Sequence, residues 1–504
     1  MNRNPNIVLY FVDDLGYGDI SCFNENSKIH TENIDAMARD GMMFTDAHAS
    51  SSVCTPSRYG LLTGRYNWRS RLKRGIISGE AAPLIEEGRL TLGSLLQKQG
   101  YRTAVVGKWH LGLDWICTDG KKLFENPTST KRSEADIDFT AKIQNGPNTR
   151  GFDYFYGMTA SLNQAPYVTI ENDRPEQIPD HYIGTTEHDP YRPGGVGIDN
   201  VVYGLCAPDF DMQKIVPMMH EKVLELVDEF AKGDEPFFIY SPTPAVHSPL
   251  VPADEFVGKS GIGPYGDFVL QVDHFIGELN AKLEALGIAD STIVIFTSDN
   301  GCSTVVDMPR LAELGHHPSY VFRGSKSDIW EGGHRVPFIV KWPEAIKKNQ
   351  KSDQYICLTD MFATFGEIVG YDYGDSAGED SVSNLPIWLG EDWQVRENVI
   401  HHSRDGCFSI RRGNWKLELC TGSGGRSFPS DGRDDVSDLA PVQLYDLSRD
   451  IGEQENLCEK YPEVVKQLRD IVVSYIVSGR STPGADQKNH SHNSVWPGLN
   501  WLNL

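Results

Sequence analysis

Residues 6–12 read NIVLYFV, a run with no alternation of polar and apolar side chains, and two aspartates follow it at once. A strand with one solvated face alternates along its length, whereas a strand apolar throughout must be covered on both faces, the condition of a parallel sheet held between layers of helix. Runs of the same kind recur at 102–106 (RTAVV), 237–240 (FFIY) and 292–297 (TIVIFT). A helical segment precedes each: 92–99, stopped by Gly100; 218–231; and a longer one whose Phe268, Val272, Phe275, Ile276, Leu279 and Leu283 fall on one stripe. This alternation predicts an α/β fold, a large mixed and mostly parallel sheet sandwiched by helices.

With 504 residues and 39% hydrophobic content, the chain can build more than one core. Beyond about Asp375 the texture changes to short pieces, 398–401, 407–411, 415–419 and 443–446, separated by Gly and Asp turns. We expect a catalytic α/β domain over 1–374 and a smaller C-terminal domain over 375–504, an antiparallel sheet with a helix at 464–477 and a polar tail after Gly479. No apolar run approaches the roughly 20 residues a spanning helix needs, so no membrane partner is expected. Lys and Arg total 47 and Asp and Glu 70, a formal charge of −23, which repels polyanions and argues against nucleic acid as a partner. A small anion can still be held by a local basic cluster. Nine cysteines without a repeating spacing or a CxxC pair read neither as a disulfide framework nor as a zinc site. Together with an amino end that lacks a basic and apolar leader, they predict a cytoplasmic protein. The alternative is an exported protein whose signal has been trimmed.

The chemistry-bearing residues follow the apolar runs. In open α/β sheets ligands bind beyond the carboxyl ends of the strands. Asp13 and Asp14 follow the first strand, Asp299 and Asn300 follow 292–297, and Lys108 and His110 follow 102–106. Taken singly, Asp-Asp and Ser-Asp-Asn-Gly are turn signals. Taken together at strand ends they are three carboxylates and a carboxamide, a hard oxygen set suited to Ca²⁺ or Mg²⁺ rather than Zn²⁺. At 54–64 a short helix is expected, with Pro56 near its start, Gly64 at its stop and Cys54 at its positive end.

The run Cys54-Thr55-Pro56-Ser57-Arg58, continuing to Thr63-Gly64-Arg65, resembles the signature of the type I sulfatases of the alkaline phosphatase superfamily. The family's cysteine is oxidised after synthesis to formylglycine. Supporting blocks are Asp13-Asp14-Leu15-Gly16-Tyr17-Gly18-Asp19, Gly107-Lys108-Trp109-His110-Leu111-Gly112, Ala245-Val246-His247-Ser248-Pro249, Thr297-Ser298-Asp299-Asn300-Gly301 and Arg323-Gly324-Ser325-Lys326. Val246 stands where such families often carry proline.

The resemblance implies an alkaline-phosphatase-like fold and a Ca²⁺ site, Mg²⁺ being possible, made by Asp13, Asp14, Asp299 and Asn300 beside the modified Cys54. It implies that one hydroxyl of the hydrated aldehyde attacks sulfur and the other allows sulfate to leave. Arg58 then holds the hydrate, Lys108 and Lys326 neutralise sulfate oxygens, His110 serves as the base, and His247 with Lys326 lies on the leaving-group side. A formylglycine-generating enzyme or an anaerobic sulfatase-maturating enzyme is the implied maturation partner.

The arrangement looks most like bacterial carbohydrate sulfatases, with a sulfated saccharide as substrate and a galactose or N-acetylgalactosamine 6-sulfate as the specific expectation. Asn163 and Gln164, and His401 and His402, are expected on loops that face the crevice and read the sugar. Two other activities compete with this one: a phosphonate monoester or phosphodiester hydrolase of the same superfamily, and a non-catalytic sulfoglycan binder in which Cys54 stays a thiol.

Overall fold

The computed structural model describes residues 4–124, 134–185, 201–490, 496 and 499. Its strands are β1 (Asn6–Val12), β2 (Met42–His48), β3 (Arg102–Lys108), β4 (Tyr154–Met158), β5 (Ile170–Glu171), β6 (Arg174–Pro175), β7 (His181–Ile183), β8 (Gly204–Cys206) and β9 (Phe237–Pro242). They continue as β10 (Thr292–Ser298), β11 (Arg335–Lys341), β12 (Gln350–Ser352), β13 (Ile356–Cys357), β14 (Val399–His402), β15 (Phe408–Arg412), β16 (Trp415–Glu418) and β17 (Gln443–Asp446). The helices are α1 (Glu32–Asp40), α2 (Cys54–Thr63), α3 (Leu92–Lys98), α4 (Met212–Phe230), α5 (Pro264–Ala285), α6 (Met308–Glu313), α7 (Glu331–His334), α8 (Met361–Ile368), α9 (Leu385–Trp388) and α10 (Pro462–Ser478).

The large sheet runs in the order β12-β2-β11-β10-β1-β9-β3-β4-β5-β6, with β13 also paired to β2. Its centre, β10-β1-β9-β3-β4, is parallel throughout. β11 runs antiparallel to β10 and β2 antiparallel to β11, so β2 points the same way as β1. The carboxyl ends of β1, β2, β3, β4, β9 and β10 therefore open on one edge, where α/β sheets bind their ligands.

The unbroken apolar runs have the origin expected of them. Ile7, Leu9 and Phe11 of β1 enter one core with α2, α3 and α8, while Val8, Tyr10 and Val12 enter a second core with α1, α4 and α5. The predicted stripe on α5 is buried along its whole length. α4 begins at Met212, six residues before the start read from sequence. Asp211 caps it by accepting the Gln213 N–H at 3.1 Å, and Pro217, the sixth residue of the helix, offers no N–H to the Gln213 carbonyl.

The C-terminal sheet is the meander β14-β15-β16-β17, antiparallel as expected, with α10 packed on it through Leu468, Val472 and Ile476. Its core is shared with Tyr66, Trp68, Tyr355 and Cys357 from the larger part of the chain. Ala377, Ile387 and Trp388 pack in turn on the first core. The last residues of the expected polar tail lie outside the described residues. Among the described residues no helix is long and apolar enough to cross a membrane.

Candidate active site

Every sequence-predicted catalytic and cation-binding residue lies at the carboxyl edge of the sheet. α2 starts just after the β2 end, and all ten of its residues are buried, Cys54 in its first turn. The helix stops at Gly64 in the left-handed region, φ 62°, with its N–H on the Gly60 carbonyl at 2.9 Å. The unpaired N–H groups and positive end of this helix thus face the same crevice as Asp13 and Asp299.

Arg58 is fully buried and fixed from two sides. Its Nη2 and Nε donate to Asp299 Oδ2 at 2.7 and 3.1 Å, and its Nη1 donates to the Lys108 carbonyl at 3.1 Å. Lys108 Nζ donates to Asp13 Oδ2 at 2.6 Å, and Lys326 Nζ to Asp14 Oδ2 at 2.7 Å. Asn300 Nδ2 donates to Asp14 Oδ1 at 2.8 Å, and the Asp14 N–H to Asp299 Oδ1 at 3.2 Å. The backbone of Asp13 is laced to the His247 loop, its N–H on the Ala245 carbonyl and its carbonyl accepting from Val246, both at 2.8 Å. That tie places His247 Nε2 at 3.7 Å from Asp14 Oδ2.

Two oxygens in this ring, Asp13 Oδ1 and Asn300 Oδ1, are buried without a hydrogen-bond partner. Asp13, Asp299 and the Cys54 sulfur also fall within 4.8 Å of one another. Orphaned buried acceptors are costly, and crowded carboxylates repel each other, so the set fits a hard divalent cation bound by oxygens. The electrostatics agree. Burial first, then the adjacent Asp13 carboxylate, pushes Asp299 up to about 7 against the pull of Arg58 and Lys108. Asp13 is subject to the same burial, yet Lys108, His247, Arg58 and Lys326 hold it well below the usual carboxylate range.

Each histidine has its tautomer set by a backbone carbonyl. His110 Nε2 donates to the Ile77 carbonyl at 2.8 Å, which leaves Nδ1 as a buried lone pair without a partner. Burial and the Lys108 and Arg58 charges push its pKa well below the ordinary histidine value, so the ring is neutral. His247 Nδ1 donates to the Ser248 carbonyl at 2.6 Å, and burial with Lys326 lowers its pKa to about 4. Burial pushes the Cys54 thiol up, so an unmodified Cys54 is not a thiolate.

A cavity of about 110 Å³ opens beside His247 and Lys326, and Asn163 and Gln164 line it as the sequence predicts. His401 and His402 do not. They are the last two residues of β14, buried inside the C-terminal sheet: His401 stacks on His334 with centroids 3.7 Å apart, and His402 packs edge-on against Phe408. The block His401 to Gly406 contains a strand end and a turn, and only the turn reaches the crevice, through Arg404. Ser303, Thr304 and Arg426 also line the cavity and were missed. Ser303 and Thr304 could have been found, since they continue the Asp299-Asn300 turn. Arg426 sits in a Gly- and Ser-rich stretch that carries no sequence signal.

A crevice that sets an oxygen cluster fit for a cation against buried arginine and lysine suits the ester of a strong oxyacid. The sulfatase family model matches residues 5–371, and the chain belongs to that family. It is a sulfuric ester hydrolase of a family that generally uses formylglycine and a divalent metal. The chain is 34% identical to an N-acetylgalactosamine-6-O-sulfatase of Bacteroides thetaiotaomicron, over 94% of this chain and 93% of that one. It is 29% identical to human arylsulfatase A, over 93% and 87%. A solved structure from work on the metabolism of multiple glycosaminoglycans by B. thetaiotaomicron superposes with a TM-score of 0.79 at 31% identity, covering 94% of this chain and 99% of that one.

Proposed function

We propose that the protein removes the 6-O-sulfate of N-acetylgalactosamine or galactose units in sulfated glycans, with formylglycine formed from Cys54 and with Ca²⁺ held by Asp13, Asp14, Asp299 and Asn300. The observation that carries the substrate is the near end-to-end likeness to the bacterial N-acetylgalactosamine-6-O-sulfatase. Formylglycine at position 54 would supply the nucleophilic hydroxyl, and a divalent cation held by Asp13, Asp14, Asp299 and Asn300 would supply Lewis-acid assistance beside it. The raised Cys54 thiol supports the need for this modification, since the thiol itself is a poor nucleophile there. A formylglycine-generating or anaerobic maturating enzyme is the partner that would install it.

Arg58, immobilised by Asp299, presents a fixed positive charge beside residue 54. Lys108 and Lys326 balance the charge that grows on the sulfate oxygens. The His110 Nδ1 lone pair is the acceptor for the proton released when sulfate departs. Lys326, kept charged by Asp14, lines the cavity next to His247 and stands on the side where the sugar oxygen leaves. His247, its pKa lowered to about 4 by burial and Lys326, is neutral and lies on that same side. Asn163, Gln164 and Arg404 line that cavity, which supports a role for them in reading the sugar. We also keep the division into 1–374 and 375–504, supported by the end of the family match at 371 and by the separate four-stranded sheet.

The test is a panel of defined saccharides sulfated at single positions, with phosphonate and phosphate esters of one alcohol alongside. Sulfate release fastest from the 6-sulfated N-acetylgalactosamine or galactose unit is expected. Preference for another sulfate position overturns the substrate, and preference for phosphonate overturns the reaction.

A further inference from the structure

Continuing the β15–β16 register, in which Ser409 faces Glu418, by two residues sets Cys407 opposite Cys420. The Leu419 N–H donates to the Phe408 carbonyl at 2.8 Å, so 408 and 419 form a hydrogen-bonded pair, and 407 and 420 the non-hydrogen-bonded pair beyond it. In such pairs the Cα atoms lie about 4.5 Å apart and the side chains share one face. That spacing falls within the roughly 4.4–6.8 Å a disulfide spans. Both sulfurs and an Asp431 carboxylate oxygen lie within 4.8 Å of one another.

The cluster is not equipped to hold a metal. Asp431 accepts the Gly422 and Gly424 N–H groups at 2.9 Å each, and the hydrophobic neighbours of the two cysteines are Ile329 and Trp330. Neither thiol takes part in the sulfatase chemistry. Both sit at the base of the sugar-reading rim: Cys407 N–H donates to Ser403 Oγ at 3.1 Å, Ser403 Oγ donates to the Gly424 carbonyl at 2.6 Å, and the Asp405 N–H donates to the same carbonyl at 3.1 Å. One segment carries Arg404 into the cavity and the other carries Arg426.

We propose that Cys407 and Cys420 form a cross-strand disulfide under oxidising conditions, and that this bond fixes the two loops carrying Arg404 and Arg426 at the mouth of the cavity. The oxidant is a low-molecular-weight disulfide such as glutathione disulfide. Two S–H bonds break and one S–S bond forms, and the two electrons and two protons convert the oxidant to two thiols. Both cysteines are nearly buried, at 6% and 8% exposure, so the bond forms slowly in the folded protein and, once formed, is shielded from reduction.

The cross-link is independent of the substrate, while its effect on sugar binding rests on the glycan sulfatase reading above, so mass and kinetics are read separately. The mature, calcium-loaded enzyme is incubated with glutathione disulfide, alkylated under denaturing conditions and digested without reduction. A joined peptide pair containing Cys407 and Cys420, lighter by two hydrogens than the two reduced peptides and absent from Cys407→Ala, is expected. Both cysteines alkylated after prolonged oxidation, either one joined to a different cysteine, or one zinc ion retained with both thiols protected overturns the bond. With the bond present, KM for a 6-sulfated saccharide is expected about two- to tenfold lower than in the reduced enzyme, the size expected when one or two long side chains need no ordering on binding. A small aryl sulfate, which does not reach the rim, keeps its KM. Equal saccharide KM values in the two redox states overturn the positioning role.

Discussion

At the scale of single residues, the site depends on a few fully buried charges whose partners are other members of the site. Arg58 has Asp299, Lys108 has Asp13 and Lys326 has Asp14, so each cation that can meet sulfate is already aimed by a carboxylate that can meet the metal. Residue 54 stands outside these pairs, so its loss leaves them in place. Cys54→Ala is expected to lower kcat by roughly 10⁴-fold or more, since it removes the attacking atom, while calorimetry still detects binding of the sulfated saccharide. Cys54→Ser supplies a hydroxyl without the second one that expels sulfate, and intact mass should reveal an accumulating sulfate ester. Turnover of Cys54→Ala near the unmutated rate would refute the nucleophile. A second residue-scale expectation separates Arg404 from its neighbours. Arg404→Ala should raise KM for the saccharide with little change on a small aryl sulfate. His402→Asn, made inside the C-terminal sheet, should cost stability in urea denaturation and leave the KM of whatever stays folded unchanged. The reverse pattern would return the sugar contact to His402.

At the scale of elements, the sequence made legible what is periodic. The apolar runs of β1, β9 and β10 read as central strands, and Asp13-Asp14 after β1 and Asp299-Asn300 after β10 then meet at one sheet edge. β11, equally buried, is antiparallel to β10, because direction in a sheet depends on the connection and leaves no trace in a strand covered on both faces. The burial of His401 and His402 in β14 escapes the sequence for a related reason. Two polar side chains on β14 look like loop chemistry until Phe408 and Ser409 are known to lie across from them. The signature helix adds an element-scale test. A Cβ at Gly64 would need the left-handed conformation and would sit 2.7 Å from the Phe362 Cβ. Gly75 has a similar φ, 70°, with nothing within 4 Å. Gly64→Ala should therefore cost more than about 2 kcal/mol, from backbone strain and overpacking together. Gly75→Ala should lose about 1–2 kcal/mol, the strain alone. Equal losses by urea denaturation would mean that the α2 stop is not packed as described.

At the scale of the whole molecule, a cation held by the proposed set would join segments that the chain keeps apart, residues 13–14 beyond β1 and 299–300 beyond β10, on a protein of formal charge −23. Its removal would leave the carboxylates facing one another against Arg58, Lys108 and Lys326. The fold should survive chelation, because both cores are closed by apolar side chains that need no cation, but activity should vanish and return with Ca²⁺ or Mg²⁺. Thermal stability should fall as well: a ligand present at a hundred times its Kd adds about 2.7 kcal/mol to the folded state. The pH dependence of that loss has a definite sign. In the metal-free protein Asp299 titrates near 7 rather than at its ordinary 3.8, so between those values the folded chain binds the extra proton and stability falls as pH rises. Bound cation keeps the carboxylate ionised throughout and removes that slope. The gap in melting temperature between calcium-loaded and chelated enzyme should therefore widen from pH 5 to pH 8, and taking the difference cancels groups far from the site. In Asp299→Asn the widening should disappear. A gap that stays constant or narrows with pH would place the cation away from Asp299, and full activity after exhaustive chelation would remove it from the reaction altogether.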